Sequence, residues 1–105
     1  MTNQEQIVIL DDDPIIEQII SKIMNTEVLA YPTLEKFKEA IDSLNPTVCF
    51  IDVHLEIGIS GLDLIPELRK LWPFTPLLVI TSDTDDAIVG RALALGANDF
   101  IRKPI

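Results

Sequence analysis

Short apolar runs alternate with longer segments of helical period along this chain. The runs are IVIL at 7–10, EVLA at 27–30, VCFI at 48–51, LLVI at 77–80 and DFI at 99–101. Three of them are rich in Val and Ile and apolar throughout, which is typical of strands that are covered on both faces. The pattern therefore predicts five β-strands in a sheet with helices packed against it.

The segments between the runs repeat their apolar residues every three or four positions, as amphipathic helices do. They predict helices over 14–24, 33–43, 62–72 and 84–95. Pro14 suits a first-turn position, whereas Pro66 should kink the third helix or delay its start. Thr33 is a candidate N-cap, and Gly96 is well placed to end the last helix. The order βαβαβαβαβ predicts one α/β domain with a parallel sheet and crossover helices on both faces.

The first predicted helix carries an apolar stripe. Its members are Ile15, Ile16, Ile19, Ile20, Ile23 and Met24.

Composition limits the classes of partner. The chain has 105 residues, 48% of them hydrophobic, and a formal net charge of −9. That charge disfavours direct binding to nucleic acid or to an anionic membrane surface and favours a cation or a basic partner. The single cysteine, Cys49, cannot form an internal disulfide and is expected to be a buried thiol. The polar N-terminus lacks an apolar signal region, and no stretch reaches the ~20 apolar residues of a membrane span, so we expect a cytoplasmic protein.

Polar residues follow four of the apolar runs. They are Asp11, Asp12 and Asp13 after the first run, Asp52 after the third, Thr81, Ser82 and Asp83 after the fourth, and Arg102, Lys103 and Pro104 after the fifth. In an open parallel sheet the carboxyl ends of the strands share one edge, and ligands bind there. We therefore expect acids, hydroxyls and a cation to meet at that edge.

This set of groups suits phosphoryl chemistry. Clustered carboxylates repel one another unless a cation joins them, and oxygen ligands favour Mg²⁺ or Mn²⁺. A carboxylate can also act as a nucleophile and form an aspartyl phosphate. Phosphoryl transfer mainly needs neutralised charge and well-placed oxygens, which a divalent metal, a lysine and a hydroxyl would supply.

Five motifs in order are ILDDDP, FIDVHL, GLDLI, VITS and GANDFIRKP. With them, the chain from about Ile7 to its last residue resembles the receiver domain of bacterial two-component response regulators, the CheY-like family. The resemblance implies a flavodoxin-like, doubly wound sheet of five parallel strands in the order 2-1-3-4-5.

The resemblance also implies a role for each site residue. Asp52 would be the phosphoacceptor. Asp12 would bind Mg²⁺ (or Mn²⁺) directly. Asp11 would contact the ion through water or would support its binding, and Asp13 would lie outside the metal shell. Asp52 and the backbone carbonyl of His54 would complete the protein ligands.

The remaining implied residues form the switch. Thr81 would bond the phosphoryl oxygen, and Phe100 would move inward with it. Lys103 would pair with the phosphoryl group, with the Lys103–Pro104 peptide in the cis form, which is uncommon even before proline. A histidine kinase or phosphotransfer protein would donate the phosphoryl group, and the domain would then change its interaction surface. Such a domain assists its own phosphorylation and dephosphorylation but is not a stand-alone enzyme.

Two departures from the family pattern stand out. The stretch VHLEIGIS between Asp52 and Gly61 is one residue longer than the family's usual spacing and lacks the proline commonly found there. The chain also stops at Ile105, where receivers continue into a fifth helix. We therefore expect residues 1–105 to be one receiver domain truncated before that helix, or two copies that cover each other's open apolar face as a homodimer.

Three alternatives remain at this point. A pseudo-receiver would keep the fold as a protein-binding module without being phosphorylated. A haloacid-dehalogenase-type phosphatase would place a second acid two residues after its nucleophile, where this chain has His54. A flavodoxin-like cofactor binder would need a phosphate-binding loop after the first strand, and none is present.

Overall fold

Five parallel strands form the central sheet of the computed structural model, which describes residues 5–56, 58–82 and 85–105. The strands are β1 (Ile7–Leu10), β2 (Val28–Tyr31), β3 (Val48–Asp52), β6 (Leu77–Thr81) and β7 (Asp99–Arg102), and two short strands, β4 (His54–Glu56) and β5 (Ile59–Ser60), pair separately. The order across the parallel sheet is β2-β1-β3-β6-β7. The predicted flavodoxin-like, doubly wound sheet is thereby confirmed, because this is the 2-1-3-4-5 order once the two short strands are set aside.

The first helix has the predicted bounds, and the other three are shorter than their predicted segments. They are α1 (Pro14–Met24), α2 (Leu34–Ala40), α3 (Ile65–Leu71) and α4 (Asp86–Leu95), with 3₁₀ turns at Ile41–Ser43 and Gly61–Leu64. Pro66 lies in the first turn of α3, so the expected delay of this helix is confirmed. The predicted fourth helix began at residue 84, which lies outside the described residues. Within the described part of the chain, none of the helices has the length and hydropathy needed to cross a bilayer.

The core is divided by the sheet into two unequal layers. Alternate strand residues face opposite sides, so Val8 and Leu10 pack with α2, α3 and α4, whereas Ile7 and Ile9 pack with α1. Among the described residues, α1 is the only helix in the second layer. Cys49 is fully buried in the first layer, as predicted.

Helix α1 buries only part of its apolar stripe. Ile16 and Ile20 are buried against the sheet, but Ile15 is 61% exposed and Ile23 is 67% exposed. The six apolar residues span a wider arc than one contact with a flat sheet can cover, and no other described helix lies beside α1 on this face.

The segment after β3 is a hairpin that the sequence pattern did not predict. His54 of β4 pairs with Ser60 of β5 in antiparallel register, and the register shifts before Glu56 pairs with Ile59. Leu55 is buried in the larger core layer at 3% exposure. The hairpin starts immediately beyond the end of β3 and therefore borders the candidate site.

Candidate functional site

The carboxyl edge of the sheet gathers residues from four neighbouring strands. Asp11 directly follows β1, Asp52 ends β3, Thr81 ends β6, and Lys103 directly follows β7. These strands are parallel and adjacent, so their ends lie side by side. Topology thus brings together residues that are up to 92 positions apart in the sequence (Asp11 to Lys103).

Three carboxylates form the acidic part of the site. Asp11, Asp12 and Asp52 each offer an oxygen atom, and these atoms all lie within 4.8 Å of one another. Asp11 and Asp52 are each 4% exposed, whereas Asp12 is exposed. A group of this kind, with two buried members and one facing solvent, can take a cation at its open side.

The third acid of the triplet has a separate structural role. The Asp13 side chain accepts a hydrogen bond of 2.9 Å from the Ile15 N–H and caps α1. It lies outside the three-carboxylate group that could hold a metal. The sequence analysis did not predict that Asp13 is an N-cap. An aspartate before a proline and an apolar run is nevertheless a common signal for the start of a helix.

The Lys103 ammonium lies against two of the carboxylates. Its Nζ atom is 3.2 Å from Asp11 Oδ2 and 3.5 Å from Asp52 Oδ2. The Lys103 backbone N–H donates a 2.8 Å hydrogen bond to the Thr81 carbonyl, and the following Lys103–Pro104 peptide is cis. Lys103 is therefore tied to β6 by its backbone, and to Asp11 after β1 and Asp52 on β3 by its side chain.

Burial and charge shift the acid–base behaviour of this group. Burial raises the pKa of Asp52 to about 6, and the charge of Asp11 acts in the same direction. The positive charge of Lys103 and the hydrogen bond from the His54 N–H act in the opposite direction and offset part of this increase in the Asp52 pKa. Burial lowers the pKa of Lys103, but the negative charges of Asp52 and Asp11 outweigh it, so the Lys103 pKa lies above its ordinary value.

One carboxylate oxygen of the group, Asp11 Oδ2, lacks a hydrogen-bond partner among the described residues. Asp11 Oδ2 is buried and forms no hydrogen bond within the described residues, although the Lys103 ammonium lies at ion-pair distance. A buried carboxylate oxygen normally has hydrogen-bond or metal partners. Because the three acids outnumber the single ammonium and offer only oxygen atoms, they fit a hard divalent cation such as Mg²⁺.

The backbone around Asp52 is tightly packed. Asp52 Oδ1 accepts a 3.2 Å hydrogen bond from the His54 N–H, and the His54 side chain is exposed. Gly61 lies directly against the segment, and its N–H donates a 2.8 Å bond to the Val53 carbonyl. A Cβ atom at Gly61 would clash with the Asp52 carbonyl oxygen and the Ile51 side chain. Gly61 therefore packs directly against the site. The sequence analysis included it in the motif GLDLI but predicted no role for it.

The two implied switch residues lie on neighbouring strands. Thr81 is fully buried at the end of β6. Phe100 on β7 is opposite Val79 and half-buried, and the Arg102 guanidinium lies 5.4 Å from its ring centre. Asp83, the last polar residue after the fourth run, lies outside the described residues.

One family profile and several curated proteins match this sequence. The profile of the response regulator receiver domain matches residues 7–105. The chain is 34% identical over 104 residues to a protein-glutamate methylesterase/protein-glutamine glutaminase of Nitrosomonas europaea, covering 93% of this chain and 29% of that protein. It is 33% identical to the methanol utilization control regulatory protein MoxX of Paracoccus denitrificans, covering 93% of this chain and 46% of MoxX. The chain therefore spans less than half the length of these two relatives.

Solved structures agree with the sequence comparisons. The beryllofluoride-activated receiver domain of Klebsiella pneumoniae RstA matches with a TM-score of 0.82 at 28% identity, covering 96% of this chain and 87% of that one. A CheY-like receiver domain from Methanospirillum hungatei has the same fold, with a TM-score of 0.83 at 24% identity, covering 98% of this chain and 84% of that one. Together with the profile match over nearly the whole chain, these findings show that the chain belongs to the response regulator receiver domain family.

Proposed function

We propose that this receiver domain is a phosphorylatable signalling switch with Asp52 as its phosphoacceptor. The observation that carries the proposal is the convergence of three carboxylates and the Lys103 ammonium at one edge of the sheet. The acceptor would take the phosphoryl group from a histidine kinase or a phosphotransfer protein. The domain would act in the cytoplasm as a regulatory module rather than as an independent enzyme.

The proposed transfer uses one oxygen of Asp52 as the nucleophile. A bond forms between that oxygen and phosphorus while the bond from phosphorus to the donor histidine nitrogen breaks. Asp52 must be ionised to attack, and its pKa of about 6 leaves it mostly ionised near neutral pH. The Lys103 ammonium, already 3.5 Å from Asp52 Oδ2, would pair with the negative phosphoryl oxygens.

A divalent metal belongs to the proposal as a cofactor. Asp11, Asp12, Asp52 and the His54 backbone carbonyl would hold Mg²⁺ or Mn²⁺, with Asp12 as the direct ligand of the acid pair. The ion would neutralise charge on the phosphoryl oxygens. Asp11 Oδ2 is buried and, within the described residues, has no hydrogen bond besides its 3.2 Å ion pair with the Lys103 ammonium, which supports this assignment from the protein side.

The proposed output is a change of surface. Thr81 would bond the new phosphoryl group, and Phe100 would turn inward in response. These residues lie on the adjacent strands β6 and β7, so movement at one can affect the other. The beryllofluoride-activated RstA domain gives this proposal support from a relative.

Intact mass spectrometry tests the central claim. The protein is incubated with acetyl phosphate and Mg²⁺, and the wild type is compared with Asp52→Asn. We expect a single phosphoryl adduct on the wild type and none on the variant. Adduct formation on both proteins, or on neither, would contradict the assignment of Asp52.

A pseudo-receiver is the competing function. It would use the same fold to bind proteins without being phosphorylated. Beryllofluoride with Mg²⁺ separates the two possibilities, because a phosphorylatable receiver should show chemical-shift changes near Asp52 and Phe100 that Asp52→Asn abolishes. An absence of any Asp52-dependent change would favour the pseudo-receiver.

The domain boundary and the homodimer also remain proposals. We propose that residues 1–105 act as one receiver domain and that its α1 face is covered by a further helix or by a second copy. The exposed Ile15 and Ile23 support a cover of this kind. Sedimentation velocity over a concentration series tests the second copy, which Ile15→Glu should dissociate; a wild-type monomer at every concentration would exclude it.

A further inference from the structure

The hairpin of β4 and β5 connects the candidate site to helix α2. It leaves the site at Asp52 and returns at Gly61, whose N–H bonds the Val53 carbonyl at 2.8 Å. Between these points the chain is longer than the family's usual spacing and lacks the usual proline. The structure describes residues 53–56 and 58–60 of this segment.

Glu56 makes the contact that reaches outside the hairpin. Its Oε1 atom accepts a 3.2 Å hydrogen bond from the backbone N–H of Leu34, the first residue of α2. The N-cap residue Thr33 bonds the N–H of Lys36 instead. Glu56 and Thr33 thus satisfy different free N–H groups at the same helix end. The negative charge of Glu56 also suits the positive end of the helix dipole.

Glu56 is close in the chain to a backbone atom of the proposed metal site. It lies two residues after His54, whose carbonyl is the implied ligand and whose N–H bonds Asp52 Oδ1 at 3.2 Å. The intervening Leu55 is buried in the core at 3% exposure. Strand β4 is therefore fixed at its start by Asp52, at its middle by Leu55 and at its end by Glu56.

We propose that Glu56 is a positioning residue, which acts by tying the hairpin to the start of α2 and so holding the His54 backbone in place for a divalent cation. The proposal rests on the function proposed above, since it assumes that the Asp52 site binds Mg²⁺. Glu56 acts through the Leu34 N–H and the β4 backbone, not by contact with the cation.

Calorimetric titration with Mg²⁺ tests the proposal on four proteins: the wild type, Glu56→Ala, Glu56→Gln and Glu35→Ala. Glutamine keeps an oxygen acceptor for the Leu34 N–H but removes the charge. Glu35 is an exposed acid in the first turn of α2 that lines the same groove, so its removal matches the charge lost at Glu56. We expect Mg²⁺ to bind Glu56→Ala about 3- to 10-fold more weakly, as loss of one hydrogen bond predicts, and to bind the other two variants within about twofold of the wild type.

Hydrogen exchange of the metal-free proteins supplies a readout that does not depend on the site's activity. The Leu34 and Gly61 amides should exchange faster in Glu56→Ala than in the wild type and should stay protected in Glu56→Gln. Equal Mg²⁺ affinity of Glu56→Ala and the wild type would overturn the proposal. So would equal weakening in Glu56→Gln and Glu56→Ala, because the charge rather than the hydrogen bond would then be responsible. A wild type that does not bind Mg²⁺ would instead refute the proposed function.

Discussion

Asp52 is buried and lies near one negatively and one positively charged side chain. It is 4% exposed, close to Asp11 on one side and to Lys103 on the other. Burial and Asp11 together outweigh the ammonium, which is why its pKa is raised to about 6. An acid held in this state costs the folded protein stability whenever it is ionised and no metal is bound.

The first prediction concerns that cost. Because the Asp52 pKa is higher in the folded than in the unfolded protein, the folded state binds more protons between about pH 4 and pH 6. The free energy of unfolding of the metal-free domain should therefore fall as pH rises through this window, by on the order of 2 kcal/mol from this residue. Asp52→Asn should remove that part of the decline and be more stable than the wild type at pH 7.

Urea denaturation in EDTA at several pH values measures this effect. The exposed acid Asp42, in the 3₁₀ turn after α2, provides the matched control. Asp42→Asn should preserve the wild-type difference between pH 4 and pH 7. A variant Asp52→Asn that is less stable than the wild type at pH 7 would show that the acid is not destabilising.

The second prediction uses two glycines with opposite surroundings. A Cβ at Gly61 would clash with the Asp52 carbonyl oxygen, whereas nothing lies within 4 Å of a Cβ at Gly90 on α4. Gly61→Ala should lower the free energy of unfolding by about 2 kcal/mol or more. Gly90→Ala should raise it by up to about 1 kcal/mol, because alanine is the better helix former. Thermal unfolding measures both, and equal effects of the two substitutions would be inconsistent with this packing.

At the scale of elements, Arg69 joins the ends of two helices at the edge opposite the candidate site. Its guanidinium donates hydrogen bonds to the backbone carbonyls of Gly96, Trp72, Pro73 and Thr75. It also donates to Oδ1 of the Asn98 side chain. Asn98 Oδ1 also accepts a hydrogen bond from the Leu77 N–H at the start of β6. One side chain thus connects the ends of α3 and α4 with the loop that leads into β6.

The third prediction is that Arg69→Met destabilises the domain by about 2–3 kcal/mol, because several part-buried carbonyls lose their donor at once. Arg69→Lys should restore little of this loss, since an ammonium cannot reproduce the planar fork. The neighbouring Lys70 is exposed, and Lys70→Met should change stability by less than about 0.5 kcal/mol. Urea denaturation compares the three variants, and a small loss for Arg69→Met would contradict the proposed link.

The elements differ in how well the sequence predicts them. The strands of the sheet were predictable because continuous Val- and Ile-rich runs indicate strands with two buried faces. Their ends placed Asp52 and Lys103 at one edge without further information. The β4–β5 hairpin was not predictable, because strands of three and two residues are too short to show a period. The Glu56–Leu34 bond is equally hidden, since it joins residues 22 positions apart by a side chain.

At the scale of the whole molecule, the net charge of −9 dominates the electrostatics. Much of the domain's surface repels anions, and the carboxylates of the candidate site add to this field. A divalent cation at the site would relieve the local repulsion and would bind the folded state only, because Asp11 and Asp52 are 41 residues apart in the chain. Binding should therefore stabilise the fold by mass action.

The fourth prediction is a rise in melting temperature with Mg²⁺. At a concentration tenfold above the dissociation constant, the expected stabilisation is about 1.4 kcal/mol, or roughly 5–10 °C for a domain of this size. The rise should be smaller at pH 5, where Asp52 is largely protonated. Differential scanning fluorimetry at constant ionic strength measures it, and Asp12→Asn should reduce it. An equal rise with NaCl alone would attribute the effect to screening of the net charge.

The position of Lys103 has a consequence for synthesis on the ribosome. The first acids of the site are translated early, yet the ammonium that lies between Asp11 and Asp52 comes from the residue after β7. Until residue 103 has been synthesised, the chain has no Lys103 ammonium to place against Asp11 and Asp52. The charge balance of the pocket therefore depends on a residue that is synthesised 51 positions after Asp52.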